Sequence, residues 1–98
     1  MKMTISDQLS FKRKVQVSRY INGQLAVNIH GFSGEPIAEL SIMNSSVELA
    51  PNEFILKDYS ENEYLVQECY ESNLITATDR FVLIGSHLCP ICQIISEV

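Results

Sequence analysis

Ninety-eight residues, 46% of them hydrophobic and 19% charged, make one domain of ordinary globular composition and exclude a disordered or fibrous chain. A chain of this length buries about 65% of its unfolded surface, enough for a modest core without a metal or disulfide framework. The formal net charge of -5 at pH 7 argues against nonspecific binding to nucleic acid or to an anionic membrane, and toward a basic protein partner.

Residues 1–8, Met-Lys-Met-Thr-Ile-Ser-Asp-Gln, lack the apolar stretch of a secretory signal and read as a flexible lead-in. No segment approaches the roughly 18 apolar residues that span a bilayer. Three cysteines, Cys69, Cys89 and Cys92, form an odd set, so reduced thiols and a cytoplasmic setting are expected.

From Leu9 to Ile21 the odd positions (Leu9, Phe11, Val15, Val17, Ile21) are mostly apolar and the even ones polar, the alternation of a half-buried strand. Asn22-Gly23 predicts a type I′ hairpin turn, returning the chain along Leu25 to His30 with Leu25, Val27 and Ile29 toward the core. A reversal at Ser33-Gly34-Glu35-Pro36 leads to a third strand over 37–42, with Pro36 at its start. Pro51-Asn52 turns the chain into a short strand over 53–57.

Ser60 and Glu63 then form an S-x-x-E capping box, which predicts a helix over about 61–72 with Tyr64, Leu65 and Cys69 on or near its apolar stripe. Asn73 predicts the helix stop. Leu74 to Thr78, Phe81 to Ile84 and His87 to Ile95 read as strands, the last two joined by a Gly85-Ser86 turn. The expected fold is therefore α+β: a curled antiparallel sheet of about five or six strands, opening as a meander, with one main amphipathic helix.

Two regions carry candidate chemistry. Residues 48–71 hold seven carboxylates against Lys57 alone, a net of -6. Within them Asp58, Tyr59, Glu61, Glu63, Tyr64, Glu68 and Glu71 nominate a protein-contact surface, because tyrosine contributes area at low entropy cost and tolerates water. The same carboxylates also suit a merely solvated helix face, and Tyr59 and Tyr64 suit a hydrophobic staple and a core position. The second region is His87-x-Cys89-Pro-Ile-Cys92, whose C-P-x-C spacing lets two thiolates clasp zinc, with His87 or Cys69 as a third ligand and His30 as a fourth. On a regular strand, however, Cys89 and Cys92 point to opposite faces, which favours buried structural thiols. No phosphate loop or nucleophile elbow occurs, no local feature orients a cysteine with His30, and neither an enzyme activity nor a cofactor is expected.

The run Lys57-Asp58-Tyr59-Ser60-Glu61-Asn62, followed by Thr78-x-Arg80, Gly85 and Pro90-x-Cys92, together with Gly34-Glu35-Pro36, resembles a family of small bacterial proteins known as domain of unknown function 4313. The resemblance spans roughly residues 9–95. It implies an accessory protein of plasmids, conjugative elements and phages with no assigned activity. Cys89 stands where similar proteins place an aromatic, so the resemblance speaks against a shared metal motif. The leading expectation is a small acidic binding module of a mobile element, an inhibitor of a host defence or nucleic-acid-processing protein. The alternative is a zinc-binding or thiol-redox domain, and a homodimer through a strand edge is compatible with either.

Overall fold

The computed structural model describes residues 3–5, 13–31 and 33–95. The chain is α+β, and the described residues form two four-stranded antiparallel sheets and one short helix. The first sheet has the order β1 (Met3–Ile5), β2 (Arg13–Arg19), β3 (Leu25–Gly31), β4 (Pro36–Glu39). The second runs β5 (Ser41–Ile42), β6 (Glu53–Leu56), β8 (His87–Ile94), β7 (Ile75–Ile84). A 3-10 turn, Ser60–Asn62, leads into α1 (Glu63–Glu71).

The single curled sheet expected from the alternation is thus two sheets, and they do not close into a barrel. The chain changes sheets at one residue. Leu40 is fully buried, its N–H donates to Val27 O of β3 at 2.8 Å, and its carbonyl accepts Lys57 N at 2.7 Å, just beyond β6. Ser41 completes the exchange, since its Oγ accepts the Val27 N–H at 2.8 Å and so replaces a backbone rung.

The sequence places residues 1–8 outside the fold, yet Met3–Ile5 pairs with Val15–Val17, in keeping with its apolar-polar-apolar period. Residues 9–12 of the expected first strand lie outside the described residues; from Arg13 the strand is present. Its hairpin is not type I′, because Asn22 does not take a positive φ. Gly23 does (φ 90), with Gly23 N to Tyr20 O at 2.9 Å and Tyr20 N to Gln24 O at 2.8 Å, a type I turn closed by a glycine bulge. Ile21, read as part of the apolar strand face, sits at the tip and is 99% exposed.

The capping box is not made. Ser60 has φ 61 and contributes no cap, and the helix starts two residues later than expected. Asn62 turns inward instead, fully buried, and its Nδ2 donates to Glu39 O and Lys57 O, both at 3.0 Å. The helix start is therefore pinned to β4 and to the exit of β6. At the other end Asn73 (φ 59) performs the stop read from the sequence. Asn73 N donates to Tyr70 O and Leu74 N to Cys69 O, the bond pair of a Schellman motif.

The two short strands expected over 74–84 are one long strand with a bulge. Ala77 pairs with Cys92 and Arg80 with Ile91, and Thr78 Oγ1 donates to Ile91 O at 2.7 Å, covering the interruption. The Gly85-Ser86 turn has Gly85 at φ 61 and Ser86 outside the positive region, consistent with type II′.

One core cluster joins Val15, Val17, Val27 and Ile29 of the first sheet to Phe54, Leu56 and Cys92 of the second and to Val66 and Cys69 of α1. A smaller cluster, Ile55, Cys89 and Ile91, lies on the opposite face of the second sheet under Val47, Leu49 and Tyr59. Burial on both faces explains the unbroken apolar run Phe54-Ile55-Leu56, which alternation alone does not predict.

Candidate functional site

The helix sorts the nominated contact residues. Leu65, Val66 and Cys69 are buried, whereas Glu63, Tyr64, Gln67 and Glu71 are exposed. Tyr64, expected near the apolar stripe, lies roughly 160° round the helix from Val66 and is 60% exposed. It shares an outward line with Glu71 (i, i+7), and Gln67 Nε2 donates to Glu71 Oε2 at 3.0 Å. Glu68 flanks this line and is half-buried. The side chain of Glu61 lies outside those described. Asp58 and Tyr59 precede the 3-10 turn, both half-buried. Tyr59 packs against the smaller cluster and stacks on His87, with ring centroids 3.7 Å apart and planes at 4°. Continuing the β6–β8 register (Glu53↔Gln93, Ile55↔Ile91) brings Tyr59 opposite His87.

One carboxylate of the acidic region is not available to a partner. Glu53 is buried, accepts Ala50 N–H at 2.9 Å, and is ion-paired with Arg80. The Ala50 N–H first, and then the Arg80 guanidinium, hold its carboxyl below the usual carboxylate range.

Cys89 is held apart from Cys69 and Cys92, which share the main core. Cys92 belongs to the main core and Cys89 to the smaller cluster, on opposite faces of β8 as their three-residue spacing requires. Burial raises all three thiols, Cys69 to about 12, which keeps them protonated at neutral pH. Tyr70 OH lies 3.3 Å from Cys92 Sγ, and Cys89 Sγ makes a weak contact with His87 O at 3.8 Å. His87 is exposed at the start of β8, and His30 pairs with Lys14 and Pro36 in the first sheet. Among the described residues, no three His, Cys, Asp or Glu side chains stand together as metal ligands.

Sequence reasoning missed a cleft of about 300 Å³ between the sheets, lined by Tyr20, Glu39, Ser41, Met43, Lys57 and Tyr59 among others. Tyr20 OH donates to the Glu39 carboxylate and lies 2.8 Å from Ser41 Oγ. Since the phenol proton goes to Glu39, the Ser41 hydroxyl is the donor to Tyr20. A one-way chain therefore runs from Val27 N–H through Ser41 and Tyr20 to Glu39. Burial, and then the Glu39 bond, push the Tyr20 phenol up to about 12, so it serves as a donor at neutral pH. The Ser41 proton is directed to the Tyr20 phenol oxygen, a weak base. Lys57 Nζ lies 5.7 Å from the Tyr59 ring centroid, giving the cleft a cationic side. These residues are far apart in sequence, and no local pattern announces them.

A second cleft of about 400 Å³, beside Gln24 and Pro51, is a structural seam. Gln24 bonds Asn44 and Val47, and Arg19 Nη1 donates to Pro51 O at 2.9 Å, so those polar groups are already partnered within the chain. Among the described residues no helix is long and apolar enough to cross a membrane. In comparisons with known proteins, no family model, curated protein or solved structure matches this chain.

Proposed function

We propose that the chain is a non-enzymatic binding module that engages a basic protein through the outer stripe of α1. The observation that carries this reading is Tyr64: a large aromatic, 60% exposed, beside Glu63 and in line with Glu71. An exposed aromatic among carboxylates offers a central anchor with an electrostatic rim, the arrangement that favours a basic partner. With Glu53 committed to Arg80, the acidic surface is concentrated on the helix and its approach. The resemblance to accessory proteins of mobile elements directs the proposal toward a host defence or nucleic-acid-processing protein, whose basic channel carboxylates can occupy.

The test is protection. Cells expressing the protein are challenged with phage or plasmid DNA, and the expected result is increased survival of the incoming DNA. The double variant Tyr64→Ala, Glu71→Lys should lose protection while its thermal unfolding stays close to wild type. Absence of protection by the wild type, or full protection by the variant, overturns the reading.

A further inference from the structure

We propose that two copies of this chain associate antiparallel along β7. Among the described residues this strand is the outer member of the second sheet and pairs only with β8. The two-residue turn makes Ile84↔His87 the closing hydrogen-bonded pair, and Val82↔Cys89 the next. The backbone N–H and C=O groups of Phe81 and Leu83 consequently point away from β8, toward the open edge. Between Arg80 and Ile84 this edge, Phe81-Val82-Leu83, has no charged residue and no Pro, the residues that commonly guard an exposed strand.

The side chains make the same point. Phe81 and Leu83 lie on the sheet face that carries Leu88, Pro90 and, further along, Cys92. Phe81 is 58%, Leu83 65% and Leu88 63% exposed. A two-fold axis at Val82 sets Phe81 of each copy opposite Leu83 of the other. All four residues then direct their backbone groups inward, forming two hydrogen-bonded pairs. The neighbouring registers are poorer: an axis at Leu83 opposes Phe81 to Gly85, and one at Phe81 opposes Leu83 to Asp79. The bulge at Thr78–Asp79, with Asp79 at φ 70, ends the usable edge on the other side.

Area sets the strength. Three large side chains, each about three-fifths exposed, present about 350 Å² of apolar surface per copy, inside the range of the largest patch on a monomer. Two such patches give about 700 Å², below the roughly 1,200–2,000 Å² of a stable interface. The association is therefore concentration-dependent rather than permanent. It is independent of the acidic stripe on α1, and the two can fail separately.

Sedimentation equilibrium of the full chain from low micromolar to near-millimolar concentration tests this. The expected result is a reversible monomer–dimer equilibrium. Leu83→Lys should raise its dissociation constant on the order of a hundredfold, because the two-fold axis removes two buried leucines at once. Ile21→Lys, at a still more exposed apolar position on the other hairpin, should leave it unchanged. A monomer at every concentration, a dimer indifferent to Leu83→Lys, or a dimer lost on Ile21→Lys would each overturn the proposal.

Discussion

The two ends of one sheet face differ in what covers them. Near Cys92 the second sheet lies under α1, where Val66, Cys69 and Tyr70 join the main core. Toward the β7–β8 turn the same face, on the same two strands, presents Phe81, Leu83 and Leu88 to solvent. Alternation is equally apolar at both ends, so composition does not account for the contrast. Length does. A nine-residue helix is about 14 Å long, whereas the ten residues of β7 extend about 33 Å. The helix cannot cover the strand, and what it leaves is an apolar surface beside an edge that is unpaired among the described residues.

The opposite face of that sheet sharpens the lesson. There Val47, Leu49 and Tyr59 cover Ile55, Cys89 and Ile91, with no helix needed. Pro90 explains why a loop has room to enter. Its missing N–H would face β6, so the β6–β8 ladder ends at Ile55↔Ile91. Residues 57–59 peel away, and Tyr59 returns to stack on His87.

The largest effect should separate the covered from the uncovered end. Phe54→Ala, at a fully buried core position, should cost about 3–5 kcal/mol, whereas Phe81→Ala should change monomer stability by about 0.5 kcal/mol or less. Urea unfolding at low concentration measures both, and equal costs would erase the distinction. Next comes the pin that holds the cover in place. Asn62→Ala deprives two carbonyls of a donor and should cost about 1–3 kcal/mol. It should also speed modification of Cys69 and Cys92, beneath the helix side, more than that of Cys89. Equal acceleration of all three thiols in a mass-resolved labelling experiment would place the pin elsewhere.

Smaller effects concern titration. The Glu53 carboxyl is held low in the folded state, so its stabilisation is present above the unfolded value of about 4.3 and is lost as pH falls through the lower folded value. Glu53→Gln should therefore lower stability at neutral pH by about 1–2 kcal/mol and flatten the acid limb of the stability curve. An unchanged acid limb would show that the Ala50 and Arg80 contacts are not what the carboxylate relies on. The buried thiols and the Tyr20 phenol are shifted the other way. Their contribution is complete below the unfolded values and declines as pH rises toward the folded ones, near 12 for Tyr20 and Cys69. Melting temperature should fall from about pH 8.5 upward, and a flat alkaline limb would contradict the burial of these groups.

Much of the fold was legible where local rules act alone. The parity of Leu25, Val27 and Ile29, the stop at Asn73, Pro36 at a strand start, and the three-residue spacing that sends Cys89 and Cys92 to opposite faces all appear as read. The failures share a cause, which is tertiary competition for local groups. Ser60 makes no cap while Asn62 bonds β4 and the exit of β6, and Ile21 left the strand because the turn opens one residue earlier than read, at Tyr20, with Gly23 as its bulge. The sheet switch at Leu40 depends on Val27 and Lys57, thirteen and seventeen residues away, which no window reveals. The same holds for the candidate site. Glu63 and Glu71 were legible as acidic helix positions, whereas for Tyr64 the sequence supports a contact residue and a core position alike, because its stripe depends on where the sheet lies. The Tyr20–Ser41–Glu39 chain and the Phe81–Leu83–Leu88 face exist only after the strands are paired.

Amide hydrogen exchange at Phe81 and Leu83 probes the uncovered end most directly, since those two N–H groups point to the open edge of β7. Their exchange should be fast in dilute protein and slow markedly as concentration rises, while the Val82 and Ile84 amides, bonded to β8, stay protected throughout. Protection of Phe81 and Leu83 in dilute protein, or exchange that ignores concentration, would contradict an open edge that pairs with a second copy.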